Sequence, residues 1–266
     1  MLFLALNESN DCVDCVVNFK IQAISKKMDL QGSQFSMDLV KADANYISIG
    51  NKCETAIRLK QLNLRTVSLP FDYIPTRPDL ILKYIQSEFL DFLPIHNKTD
   101  EQGNMLNGDG VWFGHFFHEN MSNEEYLQMV NTFEKRCKRL LDIFNGNNKI
   151  VLVYSSLGDI YNELDLRYKD NYSSLVELCN YLTRSFNSNF TILAFHTNQH
   201  HDNDDKCIIN CTIDVNELLF DSKYSQRLNG FYGDVFGNAM KTLINGDSFE
   251  SITYTKSDID ASLGFR

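Results

Sequence analysis

The chain has 266 residues, of which 43% are hydrophobic, 12% aromatic and 23% charged. Those fractions exclude a disordered polypeptide, a collagen-like fibre and a small disulfide-stapled domain, and the length suffices to bury a substantial core. The net charge of -10 disfavours nucleic-acid binding, which needs a basic face to displace counterions from phosphates.

Residues 1–44 show no clean period and read as an N-terminal extension or small lobe ahead of a single domain over 45–266. From Tyr46 the pattern sharpens: an apolar strand Tyr46–Ile49, Gly50-Asn51, then a helix from Lys52 to about Leu62. A short strand Thr66–Leu69 leads into a loop. The four prolines, Pro70, Pro75, Pro78 and Pro94, bracket an amphipathic helix Asp79–Phe92. Residues 96–110 are polar and rich in Gly and Asn, hence a surface loop, and Val111–Phe117 reads as an aromatic strand. A long helix Ser122–Phe144 opens with Ser122 and Glu125 at capping-box spacing. Its Lys135-Arg136 and Lys138-Arg139 pairs read as a solvated face. Strand Lys149–Tyr154, helix Ser173–Phe186, strand Phe190–Phe195, a polar turn His200–Asp205, strand Cys207–Ile213 and a helix Tyr224–Leu243 follow. This alternation predicts a layered α/β fold with a largely parallel sheet flanked by helices, and ligands in such folds gather at the carboxyl ends of strands.

No segment reaches the ~18 apolar residues of a membrane span, and Met1–Leu6 is too short for a secretory signal. Seven cysteines, an odd and scattered number, fit reduced thiols in a cytosol-like compartment. The 27 Asn, and 16 Lys against 9 Arg, are the bias expected of an AT-rich coding genome, as in large DNA viruses or low-GC microbes. Cys12-x-x-Cys15 with His200, His201, Cys207 and Cys211 is a weak zinc pattern. Cys207 and Cys211 on one strand would stand on the order of 13 Å apart, too far for one ion. No phosphate-cradling or dinucleotide loop is present, so neither metal nor cofactor is expected.

One segment carries chemistry. In Ile47-Ser48-Ile49-Gly50-Asn51-Lys52-Cys53-Glu54 a strand stops at Gly50, Asn51 caps a helix, and Cys53 falls in its first turn. Free N–H groups and the helix dipole there favour a thiolate, the nucleophilic form. The competing reading is a small buried hydrophobe.

With Ser48-Ile49-Gly50-Asn51-Lys52-Cys53, Pro70-Phe71-Asp72-Tyr73 and Phe117-His118-Glu119, the chain resembles a papain-like cysteine peptidase family of unknown function from bacteria and large DNA viruses. The family pattern is Ser-Leu-Gly-x-x-Cys, Pro-Phe-Asp-Trp, then His-Asp. Tyr73 and Glu119 are conservative departures, and the likeness covers about 47–155. It implies Cys53 as nucleophile and His118 as general base, acting on a peptide or protein substrate. On a regular strand His118 and His115 would face opposite ways, and His115, set among aromatics, reads as a packed core histidine. Asp72, Glu119 and Asp159 are candidates for the group that orients the imidazole, with Asp72 carried forward. For Asp72 the alternative is a turn residue satisfying nearby N–H groups. The rival for the whole chain is a non-catalytic interaction or structural protein on the same fold.

Overall fold

The unbroken apolar run Ile150–Tyr154 has no polar face to offer solvent. It forms the middle of strand β2 (Lys149–Ser155), buried on both faces. The computed structural model describes residues 44–50, 53–155, 172–197, 201 and 207–213. Around β2 stand β1 (Ala44–Ser48), β3 (Asn189–Thr197) and β4 (Ile208–Ile213), paired in the order β1-β2-β3-β4 and parallel throughout. The register sets Ile47 beside Leu152 and Leu152 beside Ile192. Among the described residues α1 (Cys53–Gln61), α2 (Pro78–Gln86) and α3 (Asn123–Asn145) lie between β1 and β2, and α4 (Tyr172–Ser185) lies between β2 and β3. The expected α/β architecture with a parallel sheet is therefore present. Ala44, expected to end an extension, opens β1 opposite Lys149. Among the described residues no helix is long and apolar enough to cross a membrane.

The strand side chains alternate between two covered faces. Ile47, Ile150, Leu152, Ile192 and Ala194 join Leu175, Leu178 and Leu182 of α4 in one continuous core. Val151, Val153, Leu193 and Phe195 are equally buried outside that cluster, as are Ala56 and Leu59 of α1, which packs on β1 and β2. The first core extends into aromatic rings. Phe92 stands 5.1 Å from Tyr84, 5.3 Å from Phe113 and 5.6 Å from Phe71, at the steep angles such rings prefer.

Three expected elements take other forms. Thr66–Leu69 makes no strand: Thr66 and Val67 are exposed, and the chain turns at Leu69, whose carbonyl accepts the Asp72 N–H. The helix expected to reach Phe92 stops at Gln86. Glu88 and Phe89 are left-handed (φ 51° and 66°), and the Phe89 N–H returns to Tyr84 O at 2.7 Å. That reversal aims both Phe89 and Phe92 into the core. Val111–Phe117 is not a strand either. Single bridges join Trp112 to Leu106 and His118 to Asn104, around one turn that closes from Phe117 N–H to Phe113 O. Four residues apart on that turn, Phe113 and Phe117 reach the same core, which an alternating strand also permits, so only the intervening backbone distinguishes the two.

The long helix bears out its capping box: the Ser122 hydroxyl accepts the Glu125 N–H, and the Glu125 carboxylate accepts the Ser122 N–H. Its basic pairs are not a uniformly solvated face. Arg136 lies 4.8 Å over the Phe133 ring and 5.1 Å over Phe116, and Arg139 donates to Ser68 O, while Lys138 pairs in solvent with Asp142. The thiols differ from expectation as well. Packing of α4 on β3 brings Cys179 to Cys207, just ahead of β4, and the two form a disulfide. Expectations on residues 1–43, the Asn51 cap and Lys52, Asp159, His200 and Tyr224–Leu243 lie outside the described residues.

The 96–110 loop is pinned down rather than loose. Asn107, fully buried, donates to Tyr84 Oη at 2.8 Å and Phe92 O at 2.9 Å, and accepts from the Val111 and Asp109 N–H groups. Asn107→Ala strands these partners and is expected to lower stability by about 2–4 kcal/mol in urea unfolding. A change under ~0.5 kcal/mol would show that the loop is held by other means.

Candidate active site

Strand β1 delivers Ser48-Ile49-Gly50 to the carboxyl edge of the sheet, where the Ile49 N–H extends the pairing to Val153 O at 2.9 Å. Gly50 is required by close approach. A Cβ there would collide with Thr55 Oγ1, lie 3.3 Å from Thr55 Cβ and 3.4 Å from the Ser155 nitrogen. Thr55, itself buried, can press onto β1 only because position 50 has no side chain. Cys53 opens α1 as a half-buried thiol outside any disulfide. First-turn N–H groups have no partner within their own helix, so they and the dipole favour negative charge at this point.

The Pro70-Phe71-Asp72-Tyr73 segment is a tight turn built on its carboxylate. Asp72 is 1% exposed, and its Oδ2 accepts the Leu69 N–H at 2.9 Å with Arg65 Nη1 at 3.3 Å. Burial pushes the Asp72 carboxyl above the usual range, against the pull of Arg65, the Leu69 N–H and Arg136. Phe71 points into the aromatic core, 5.6 Å from Phe89, and Tyr73 takes the left-handed conformation (φ 64°). The Tyr73 ring lies under the Arg65 guanidinium at 5.2 Å and meets His115 at 6.3 Å and Phe116 at 6.4 Å. Tyr73 therefore links the second motif segment to the residues just ahead of the third.

His115, expected in the core, keeps an exposed edge within a collar of Tyr73, Trp112 and Phe116, whose burial of the ring lowers its pKa. His118 is exposed and stands near the start of α3, where it adds a small pull to the Ser122 bonds that hold Glu125 below the usual carboxylate range. The Glu119 N–H donates to Gly103 O and its side chain packs over Gly103. No hydrogen bond joins Cys53 to His118 among the described residues, and the bonds of Asp72 go to Leu69 and Arg65 rather than to an imidazole. The three expected residues are thus not assembled as a hydrogen-bonded triad.

A family model described as "Putative papain-like cysteine peptidase (DUF1796)" matches residues 44–243. The chain belongs to this family. No curated protein and no solved structure matches it. The family match begins at Ala44, the first residue of β1, and takes in all four strands of the sheet. Within this papain-like family chain the Ser-x-Gly-x-x-Cys opening has a direct structural reason in the Gly50–Thr55 contact.

The carboxyl edge also holds a group that sequence reasoning missed. His196, fully buried near the end of β3, has Nε2 2.9 Å from Asn210 Oδ1 on β4. Asn210 Nδ2 donates to Tyr172 Oη at 3.2 Å, and the Tyr172 ring stacks on His201 at 4.0 Å. A histidine and an asparagine inside otherwise apolar strands, Thr191–Phe195 and Ile208-Ile209, were the available signal.

Two outcomes follow from this geometry. Gly50→Ala should cost about 1–3 kcal/mol in urea unfolding, part of it regained by adding Thr55→Ala. Gly108→Ala, where a Cβ meets nothing within 4 Å, should stay within ~0.5 kcal/mol. The raised carboxyl of Asp72 means that the native state binds its proton more tightly than the unfolded chain. Its contribution is fullest below about pH 4 and is lost as pH rises through the folded value. The stability of wild type relative to Asp72→Asn, which cannot ionise, should therefore fall as pH rises above about 4. A constant difference would mean that folding leaves this carboxyl's titration unchanged.

Proposed function

We propose that the protein is a cysteine-nucleophile hydrolase acting by acyl transfer on a peptide or protein substrate. The observation that carries this reading is the place of Cys53, a half-buried thiol at the first residue of α1, on the carboxyl edge of a parallel sheet. Its thiolate attacks the scissile carbonyl carbon, and the N–H groups of the first turn receive the developing oxyanion. Collapse expels the amine, which takes a proton from the base, and water then hydrolyses the thioester. His118 takes the base's role from its position in the third motif. Asp72 folds the 65–74 turn through Oδ2, which accepts the Leu69 N–H and pairs with Arg65, and its Oδ1 stays without a hydrogen-bond partner among the described residues. The net charge of -10 counts against nucleic acid as the partner.

A second reading, an interaction or structural protein that keeps the fold without turnover, is favoured by one observation: no hydrogen bond joins Cys53 to His118 among the described residues. Iodoacetamide labelling against pH, read by peptide mass spectrometry, decides between them. The hydrolase reading expects Cys53 labelling to level off below the ~8.5 of an ordinary thiol, with His118→Ala abolishing the shift. Cys137 is the internal comparison, its thiol pushed up to about 12 by burial in α3. A Cys53 profile that His118→Ala leaves unaltered and that rises only near 8.5 selects the second reading.

A further inference from the structure

Away from Cys53, one pair of sulfurs ties together elements that the sheet alone leaves loosely joined. Cys179 lies fully buried in α4, while Cys207 is half-exposed one residue before β4. Their Cα atoms are 6.6 Å apart across a separation of 28 residues, within the span a disulfide bridges without backbone movement. The Cys207 carbonyl accepts the Ile192 N–H at 2.8 Å, where the β3–β4 pairing begins. Among the described residues β4 stands at the sheet edge, paired on one side only. Three residues further on, Asn210 holds both His196 and Tyr172. The Cys179–Cys207 bond thus anchors the entry of the strand that carries this polar contact.

We propose that Cys179–Cys207 is a thiol–disulfide exchange site, opened by a low-molecular-weight thiol of the glutathione class, and that its opening loosens β4. The incoming thiolate attacks the Sγ of Cys207, the half-exposed residue of the pair. The S–S bond breaks and its electron pair leaves on Cys179, which takes a proton from water. A second small thiolate attacks the mixed disulfide and releases Cys207 as a thiolate. Two electrons have then passed from two small thiols to the protein, and one small disulfide is the oxidised product. The reverse sequence closes the bond. Unequal exposure makes the exchange directional, because Cys207 is the half-exposed residue of the pair while Cys179 is fully buried in α4.

The test uses the full chain equilibrated in glutathione buffers of graded thiol-to-disulfide ratio. Acid quenching and alkylation precede peptide mass spectrometry, and amide hydrogen exchange is read in parallel. The expected result is a 179–207 cross-link under oxidising conditions, replaced by a glutathione adduct on Cys207 and then by two free thiols as the thiol rises. Exchange of the 208–213 amides should quicken by about tenfold or more in the reduced form while that of 150–154 is unchanged. Absence of the cross-link at every ratio would overturn the proposal, and so would an adduct confined to Cys179. Equal 208–213 exchange in both forms would overturn it too. Cys207→Ser should show fast 208–213 exchange under all ratios. If that variant fails to fold, the wild-type titration decides by itself.

Discussion

Parallel pairing of Ala44–Ser48 with Lys149–Ser155 requires residues 49–148 to leave the sheet at its carboxyl edge and return to its amino edge. Because β2 is buried on both faces, that excursion must also supply apolar cover on each side. It does so unequally. Ala56 and Leu59 of α1 cover one face, and the other receives the aromatic assembly centred on Phe92, with α2 and α3 around it. The positions of Cys53, Asp72 and His118 all depend on how this single long connection is folded.

The connection carries few regular elements and holds its shape by particular hydrogen bonds. Asn107 satisfies two backbone N–H groups, one carbonyl and the Tyr84 hydroxyl, and Asp72 closes the turn that begins at Leu69. A buried polar side chain is tolerated only when its bonds are made, so each also fixes the local backbone more tightly than apolar contact would. Arg136 and Arg139 extend the same logic to α3, one over aromatic rings and one on a carbonyl, so that helix is held to the 68–72 turn. At Asp72 the bonds to Leu69 and Arg65 both fall on Oδ2, while Oδ1 is buried without a hydrogen-bond partner among the described residues.

At the carboxyl edge two polar groups are set by different means. Cys53 is placed by the abrupt strand-to-helix passage that Gly50 permits. His196, Asn210 and Tyr172 are placed by the β3–β4 register and by α4, elements that follow the long connection. The first group is local in sequence and the second is assembled across it, so substitutions around Gly50 and changes at the Cys179–Cys207 bond act on separate parts of the edge.

Periodicity and capping alone determined most regular elements of this protein. The β2 run, the Ser122–Glu125 box and the Gly50-to-Cys53 passage each depend on neighbours within a few residues, whose physics is complete in the local chain. Thr66–Leu69 and Val111–Phe117 have strand-like composition, yet neither finds a ladder partner. Pairing is a long-range property, and the turns at Asp72 and Phe113–Phe117 satisfy the backbone instead. The partners of Asp72, the collar around His115, and the meeting of Cys179 with Cys207 belong to the same class. Tertiary structure decided them, because each depends on which faces pack together, and hydrophobic burial selects those faces without reading the polar residues carried along with them.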